Sequence, residues 1–166
     1  MGSSFAKAAG AAPPVIFFTD LESGPNSGGE NNNGAYVTIY GKNFGTNPTV
    51  TVGGGQAIIK LAPQPYLWYE KLVIQLGPNT QTGNIVVTTS AGTSNGAPFT
   101  VRPGNIYFVS TTGSDTNPGT FAQPWQTLHI AKSKLFPGDI LYAMNGVSQL
   151  TGDTLGGSDA ALRITT

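Results

Sequence analysis

Short stretches of alternating apolar and polar residues dominate the chain up to residue 102. In residues 35–41, Val37 and Ile39 point to one side of an extended chain. The more polar residues Tyr36, Thr38 and Tyr40 point to the other side. This is the period of a strand with one buried face. Similar apolar stretches lie at 15–18, 48–53, 56–61, 72–76, 84–89 and 99–101. Their spacing predicts an antiparallel β-sandwich.

Turn-forming residues separate these strands. Residues 22–34 (ESGPNSGGENNNG) are nearly all turn formers and predict a long loop. The three glycines at 53–55 predict a hairpin turn. Phe44, between Asn43 and Gly45, is predicted to be a buried aromatic side chain at a turn.

The pattern changes after residue 102. Residues 105–110 and 139–144 predict strands, and residues 127–135 between them carry apolar side chains at helical spacing. Thr127 is positioned to cap the N-terminus of this helix. Residues 150–159 predict a loop, and residues 160–165 predict a further short strand.

The composition narrows the classes of function. The chain has 8 basic and 8 acidic residues, a formal net charge of zero, and 10% charged residues in all. The basic residues are scattered, so we predict no nucleic-acid partner, which would need a basic stripe. No stretch approaches the roughly 18 apolar residues of a membrane span, so no membrane insertion is predicted. The absence of cysteine excludes disulfides, thiolate zinc sites and cysteine catalysis.

The first half of the chain resembles the IPT/TIG family of Ig-like domains. The run VTIYGKNFG at 37–45 carries most of the resemblance. Further matching segments are 14–16, 50–54, 72–74, 83–88 and 99–101. The resemblance implies an Ig-like β-sandwich over residues 13–102, in which Gly41 lets the strand bend and Phe44 fills the end of the sandwich. Residues 1–12 are interpreted as a tag or linker tail.

The second half resembles the N-terminal cap and first coil of right-handed parallel β-helix proteins, the architecture of pectate lyases. The segments that carry this are IYFVS at 106–110, GSDTNPG at 113–119, QPWQT at 123–127, PGDILY at 137–142, and Gly146. The resemblance implies that residues 103–166 form a capping helix and the first coil or coils of a truncated parallel β-helix. The fold class is therefore mainly β. Trp125 is predicted to pack the cap.

One or two coils cannot bury their own apolar faces. We therefore expect the chain to be a fragment of a longer protein that stops before the active coils of a β-helix. We also expect self-association through the open β-helix end, because an uncovered stack exposes unpaired backbone groups.

The sequence contains no convincing catalytic set. A glycosidase needs two carboxylates that face each other across a cleft. Asp153 and Asp159 are either the rim of such a groove or ordinary turn residues. Asp115 and Asp139 are interpreted as structural, and His129, the only histidine, as a partly exposed helix residue. We predict no catalytic and no metal-ligating residues in this chain.

Calcium is the one cofactor with any support. Asn31, Asn32, Asn33 and Asn95 offer side-chain oxygens, which are calcium ligands in proteins. No carboxylates accompany them at a set spacing, so no cofactor is predicted.

The aromatic residues are the best candidates for a binding site, because glycans bind through exposed rings on which sugar faces stack. Tyr66, Trp68 and Tyr69 lie close together in the sequence. In a single strand, Tyr66 and Trp68 face one way and Tyr69 the other. Trp68 either packs at the sheet edge or contacts glycan. Tyr36 and Tyr40 form either a second shallow platform or cross-strand pairs on a solvated face.

Three functions remain open. The chain is a carbohydrate-binding or spacer module of a secreted carbohydrate-active β-helix protein, a structural or adhesive surface protein, or a fragment of a polysaccharide lyase or glycoside hydrolase. The neutral surface, rich in Thr and Asn, suits the first two equally. We expect a secreted or cell-surface bacterial protein with polysaccharide as its partner.

Overall fold

The computed structural model describes residues 12–147 of the chain. The strands in that range are β1 (Val15–Thr19), β2 (Ser23–Gly24), β3 (Tyr36–Lys42), β4 (Thr49–Val52), β5 (Gly55–Gln56), β6 (Ile58–Tyr66), β7 (Tyr69–Gln75), β8 (Gly83–Thr89), β9 (Gly92–Thr93), β10 (Ala97–Val101), β11 (Ile106–Val109) and β12 (Ile140–Ala143). The helix α1 (Leu128–Lys134) precedes β12, and a 3-10 turn (Glu30–Asn32) lies in the predicted long loop. The predicted loop at 150–159 and strand at 160–165 lie outside the described residues.

Two sheets pack against each other around one core. The first has the order β1–β3–β7–β6, and the second has the order β2–β10–β8–β4–β5 with β9 paired to β8. Neighbouring strands are antiparallel except for the short parallel pair of β2 and β10. This mainly β arrangement fits an Ig-like β-sandwich, as the alternation predicted.

The core forms because each strand buries every second residue. Val37 and Ile39 on β3 and Leu72 and Ile74 on β7 are fully buried. Their counterparts on the second sheet are Val50, Val52, Ile85, Val87 and Phe99. The inward positions predicted from the sequence are therefore confirmed.

Phe44 is buried at the end of the sandwich, as predicted. Its backbone N–H donates a hydrogen bond to Oε2 of Glu70 at 2.9 Å. Gly41 has a steric role in addition to the predicted bend. A Cβ atom on Gly41 would collide with the carbonyl oxygen of Val15 and come within 2.6 Å of the Phe44 ring. Glycine is required here because β1 and Phe44 both lie against β3.

The segment after residue 102 contains a parallel pair of strands. Residues of β11 pair with residues of β12 from Ile106↔Ile140 to Val109↔Ala143, and α1 lies in the connection. Trp125 forms a parallel bridge with Val109 and is 2% exposed. Its ring stacks on Tyr107 at 4.6 Å, and its indole N–H donates to the carbonyl oxygen of Asn117 at 2.9 Å. Trp125 thus packs this segment, as predicted.

This segment shares the core of the sandwich. Ile106 and Phe108 belong to the same buried cluster as the sandwich residues. The backbone N–H of Tyr36 donates to the hydroxyl oxygen of Tyr142 at 2.8 Å, and their rings meet edge to face at 5.1 Å. Burial is the main reason that the pKa of Tyr142 is raised. The domain boundary between residues 102 and 103 stays a prediction. The segments on its two sides are in direct contact.

Asp115 anchors the two residues that precede α1. Thr127 occupies the N-cap position, but its side chain makes no capping hydrogen bond. Its hydroxyl donates to Asp115 Oδ2 at 2.6 Å, and Asp115 Oδ1 accepts the N–H groups of Gln126 and Thr127 at 2.9 and 2.8 Å. Thr127 is therefore at the predicted N-cap position, and the carboxylate of Asp115, 12 residues earlier, holds it there. Among residues 12–147, no helix is long and apolar enough to cross a membrane.

Asp115 should make the stability of the chain sensitive to acid. Burial pushes the pKa of its carboxyl upward, but the hydrogen bonds from Thr127 and Gln126 outweigh burial, and the pKa lies below its ordinary value. The carboxylate therefore stabilises the fold above that ordinary pKa, and this contribution is lost as pH falls through the folded value. We expect Asp115→Asn to lower the free energy of unfolding by about 1 kcal/mol at neutral pH and by less in acid.

Urea unfolding of both proteins at neutral and acidic pH measures this difference. Glu22→Gln is the control, because Glu22 is an exposed carboxylate whose side chain makes no hydrogen bond within residues 12–147. If the free energy of unfolding changed equally with pH in the wild type and in Asp115→Asn, the role given to Asp115 would be contradicted.

Candidate functional site

Aromatic side chains reach across all four strands of the first sheet on its outer face. We call this set the aromatic row: Phe17 and Phe18 on β1, Tyr40 on β3, Tyr69 on β7, Tyr66 on β6, and Trp68 in the turn between β6 and β7. Because neighbouring strands lie about 4.8 Å apart, the row extends over about 14 Å. This is the largest set of exposed rings on the described part of the chain.

A β-bulge brings both phenylalanines to the outer face. Ile16 pairs with Gly41 and Phe18 pairs with Tyr40, so Phe17 is an extra residue in β1. Ile16 is buried, whereas Phe17 and Phe18 are 42% and 49% exposed. Strict alternation would have buried one of the two rings. Sequence reasoning therefore missed both residues, although two consecutive phenylalanines in a strand were the available signal.

Asn95 fixes the start of this bulge. Its side-chain oxygen accepts the N–H of Ile16 at 2.9 Å, and its side-chain nitrogen donates to the carbonyl oxygen of Ile16 at 3.0 Å. The amide thus satisfies both backbone groups of a residue beside the bulge, as a neighbouring strand would. This use of the side chain accounts for Asn95 without a calcium ion.

Residues 66–69 form a hairpin turn, not one continuous strand. Tyr66 and Tyr69 pair directly across β6 and β7, and Leu67 and Trp68 form the turn, with Leu67 at a φ of 55°. Leu67 is 83% and Trp68 70% exposed. Since directly paired residues point to the same face of a sheet, the predicted placement of Tyr66 and Tyr69 on opposite faces was wrong. The turn contains no Gly, Asn or Pro, so it lacked a sequence signal.

Tyr69 lies at the centre of the aromatic row and is half-buried. Its ring centroid is 4.9 Å from that of Trp68, with the planes nearly perpendicular, and 5.5 Å from that of Tyr66. Its centroid distances to the remaining rings are 5.9 Å to Tyr40, 6.1 Å to Phe18 and 6.3 Å to Phe17. Edge-to-face pairs of this kind contribute about 0.5–1.5 kcal/mol each. The row is therefore held in place by its own contacts.

Two lysines lie over rings of the row. The Nζ atom of Lys42 is 5.4 Å from the centre of the Trp68 ring, and that of Lys71 is 5.1 Å from the centre of the Tyr66 ring. Both distances are within the range of cation–π attraction. Burial, followed by the charge of Asp20, raises the pKa of Tyr40 above the ordinary value of a tyrosine hydroxyl.

Tyr36 is not part of the aromatic row, although it shares the outer face of β3 with Tyr40. Its hydroxyl donates to Oε2 of Glu30 at 2.6 Å, and its ring contacts Tyr142 of the following segment. Burial, followed by this hydrogen bond, raises the pKa of Tyr36, and the hydrogen bonds from Lys60 and Tyr36 lower the pKa of Glu30. The structure therefore brings Tyr40, but not Tyr36, to the other candidate rings.

The remaining candidate residues do not converge on a chemical site. Within residues 12–147, no group of three or more His, Cys, Asp or Glu side chains is placed to hold a metal ion. His129 lies on the exposed side of α1. Asp153 and Asp159 lie outside the described residues. The aromatic row therefore stays the candidate site among the described residues.

The comparison with known families agrees with the sandwich. A family model described as IPT/TIG domain matches residues 21–115, which is more than half of the chain. The match begins after β1 and continues past β11 into the loop that contains Asp115. It includes four members of the aromatic row and excludes the two phenylalanines of β1. No curated protein matches the chain.

Proposed function

The chain belongs to the IPT/TIG domain family, and from this premise we propose that it is a non-catalytic accessory module that binds polysaccharide through the aromatic row. Domains of this family are generic Ig-like modules, often with accessory or adhesive roles. Membership of this family does not identify a ligand. The exposed row of rings across one sheet is the single observation that carries the proposal.

The chemistry of the row suits a sugar polymer. A sugar ring has apolar C–H faces, which stack on aromatic rings, and a rim of hydroxyl groups, which need hydrogen-bond partners. Tyr and Trp provide both kinds of contact, because each has an apolar body and a polar group. The hydroxyls of Tyr40, Tyr66 and Tyr69 and the ammonium groups of Lys42 and Lys71 lie among the rings. An open face about 14 Å long suits an extended chain better than a small molecule, which is usually enclosed in a pocket.

Trp68→Ala should weaken polysaccharide binding by at least about tenfold, which is about 1.4 kcal/mol. The stability of the chain should change little, because Trp68 lies in a turn and is 70% exposed. Pull-down on insoluble polysaccharides, with affinity electrophoresis for soluble ones, measures the binding.

Leu67→Ala is the matched control for Trp68→Ala. Leu67 is the other residue of the turn, is 83% exposed, and has no aromatic ring, so this variant should bind like the wild type. Full binding by Trp68→Ala, or equal loss in both variants, would overturn the proposal that the ring of Trp68 contacts the polymer.

Self-association is a second candidate function, and one observation favours it. Within residues 12–147, β12 pairs only with β11, so its other edge presents unpaired backbone groups. Such an edge can add a strand from a second copy. Sedimentation velocity distinguishes the two functions, because a concentration-dependent increase in mass that Trp68→Ala leaves unchanged would favour self-association through this edge.

We also propose that residues 103–166 begin a right-handed parallel β-helix of a longer, secreted bacterial protein. The parallel pairing of β11 and β12 and the position of α1 between them support this proposal. The parent protein would then be a carbohydrate-active protein, such as a lyase or a hydrolase.

A further inference from the structure

The charges on the aromatic row indicate the class of polysaccharide. We propose that the row binds an acidic polysaccharide, whose sugar rings carry carboxylate groups, and that Lys42 and Lys71 bind those carboxylates. This inference rests on the proposed function and makes it more specific.

Both lysines project from within the row. Lys71 is the direct cross-strand partner of Tyr40, so its side chain leaves the sheet on the same face as the ring. Lys42 lies two residues after Tyr40 on β3, which also places it on that face. A sugar stacked on Trp68 or Tyr66 would therefore have an ammonium group beside the ring on which it rests.

Neither lysine is neutralised by the protein. Within residues 12–147, the one ion pair joins Lys60 to Glu30, away from the row. The carboxylate of Asp20 lies near Tyr40, but it accepts the N–H of Thr38 at 2.7 Å and forms no ion pair with either lysine. Glu70 accepts the N–H of Phe44, which belongs to the core. Both ammonium groups of the row are therefore without an ion-pair partner among residues 12–147.

The lysines beside the rings favour an acidic glycan over a neutral one. A neutral glycan would stack on the rings and offer the two ammonium groups only neutral hydroxyl acceptors. A uronic acid uses both, because its apolar face stacks on a ring while its carboxylate, at the edge of the sugar, accepts a charge-assisted hydrogen bond from lysine. A sulfated glycan offers the same charge on a different group, so the experiment separates the two anions.

Polygalacturonate and its fully methyl-esterified form provide a matched pair of probes, since only the esterified polymer lacks the charge. We expect wild-type chain to bind polygalacturonate at least about tenfold more tightly than the ester, and this preference should fall as salt is raised. The double variant with Lys42→Gln and Lys71→Gln should lose most of the preference and change binding of the ester little. Lys132→Gln removes the same charge on α1, outside the row, and should bind both polymers like the wild type.

Each outcome separates the inference from the function on which it rests. Equal binding of both polymers, still lost in Trp68→Ala, would overturn the acidic class and leave polysaccharide binding intact. Tighter binding of a sulfated polymer than of polygalacturonate, with the same lysine dependence, would overturn the assignment to carboxylates. Binding of no polymer by folded chain would overturn both.

Discussion

Tyr69→Ala should weaken polysaccharide binding by about a hundredfold, more than any other single change in the aromatic row. The ring of Tyr69 lies within 6.3 Å of every other ring in the row. Without it, Trp68 and Tyr66 lose the neighbour that fixes their orientation, so the ligand must order them at a cost in binding free energy. Affinity measurements on the soluble polymer, compared with those for Trp68→Ala, test the ranking.

Tyr69→Phe separates the ring from its hydroxyl. This variant keeps all the ring contacts and should therefore bind within about tenfold of the wild type. Tyr69→Ala should also lose about 2 kcal/mol of unfolding free energy, because its side chain is half-buried. Binding measurements are therefore made well below the temperature at which the variant unfolds. Wild-type affinity in folded Tyr69→Ala would show that the aromatic row is not the binding face.

Trp125→Ala should reduce the free energy of unfolding by about 3–5 kcal/mol. Trp125 is 2% exposed, stacks on Tyr107, and donates its indole N–H to Asn117. Its removal would leave a cavity beside β11 and an unpaired carbonyl oxygen. Domains of this size are stable by only about 5–15 kcal/mol, so the loss is a large fraction of the total. Equilibrium unfolding in urea measures it.

Trp125→Phe is the intermediate case, since it keeps a ring against Tyr107 but loses the hydrogen bond to Asn117. Its free energy of unfolding should lie between those of the wild type and Trp125→Ala. A loss below about 1 kcal/mol in Trp125→Ala would contradict the packing role given to this side chain.

The sandwich strands could be predicted because each has one buried and one exposed face. In β3, Val37 and Ile39 are buried while Tyr36 and Tyr40 are partly exposed, which is the alternation visible in the sequence. The turn around Phe44 was also predictable, since a large apolar residue lies between turn formers. These features depend on residues that are close together in the chain.

The arrangement of the aromatic row could not be predicted in the same way. Four of its members were recognised as candidates, but their relative placement depends on a turn without turn residues at Leu67 and Trp68. Phe17 and Phe18 were missed because the bulge in β1 breaks the period of two, and the bulge depends on Asn95, 79 residues away from Ile16. Tyr36 lies four residues from Tyr40 on β3, about 13 Å along the strand, and its contacts with Glu30 and Tyr142 tie it to other parts of the chain.

The most direct test of the aromatic row is an N–H correlation spectrum of isotope-labelled chain titrated with an oligogalacturonate. The chain has two tryptophans, so two indole N–H signals are expected, one from exposed Trp68 and one from buried Trp125. Single substitutions assign them. The proposed site predicts that the Trp68 signal shifts progressively with ligand while the Trp125 signal stays fixed. A stationary Trp68 signal, with shifts that cluster elsewhere on the chain, would contradict it.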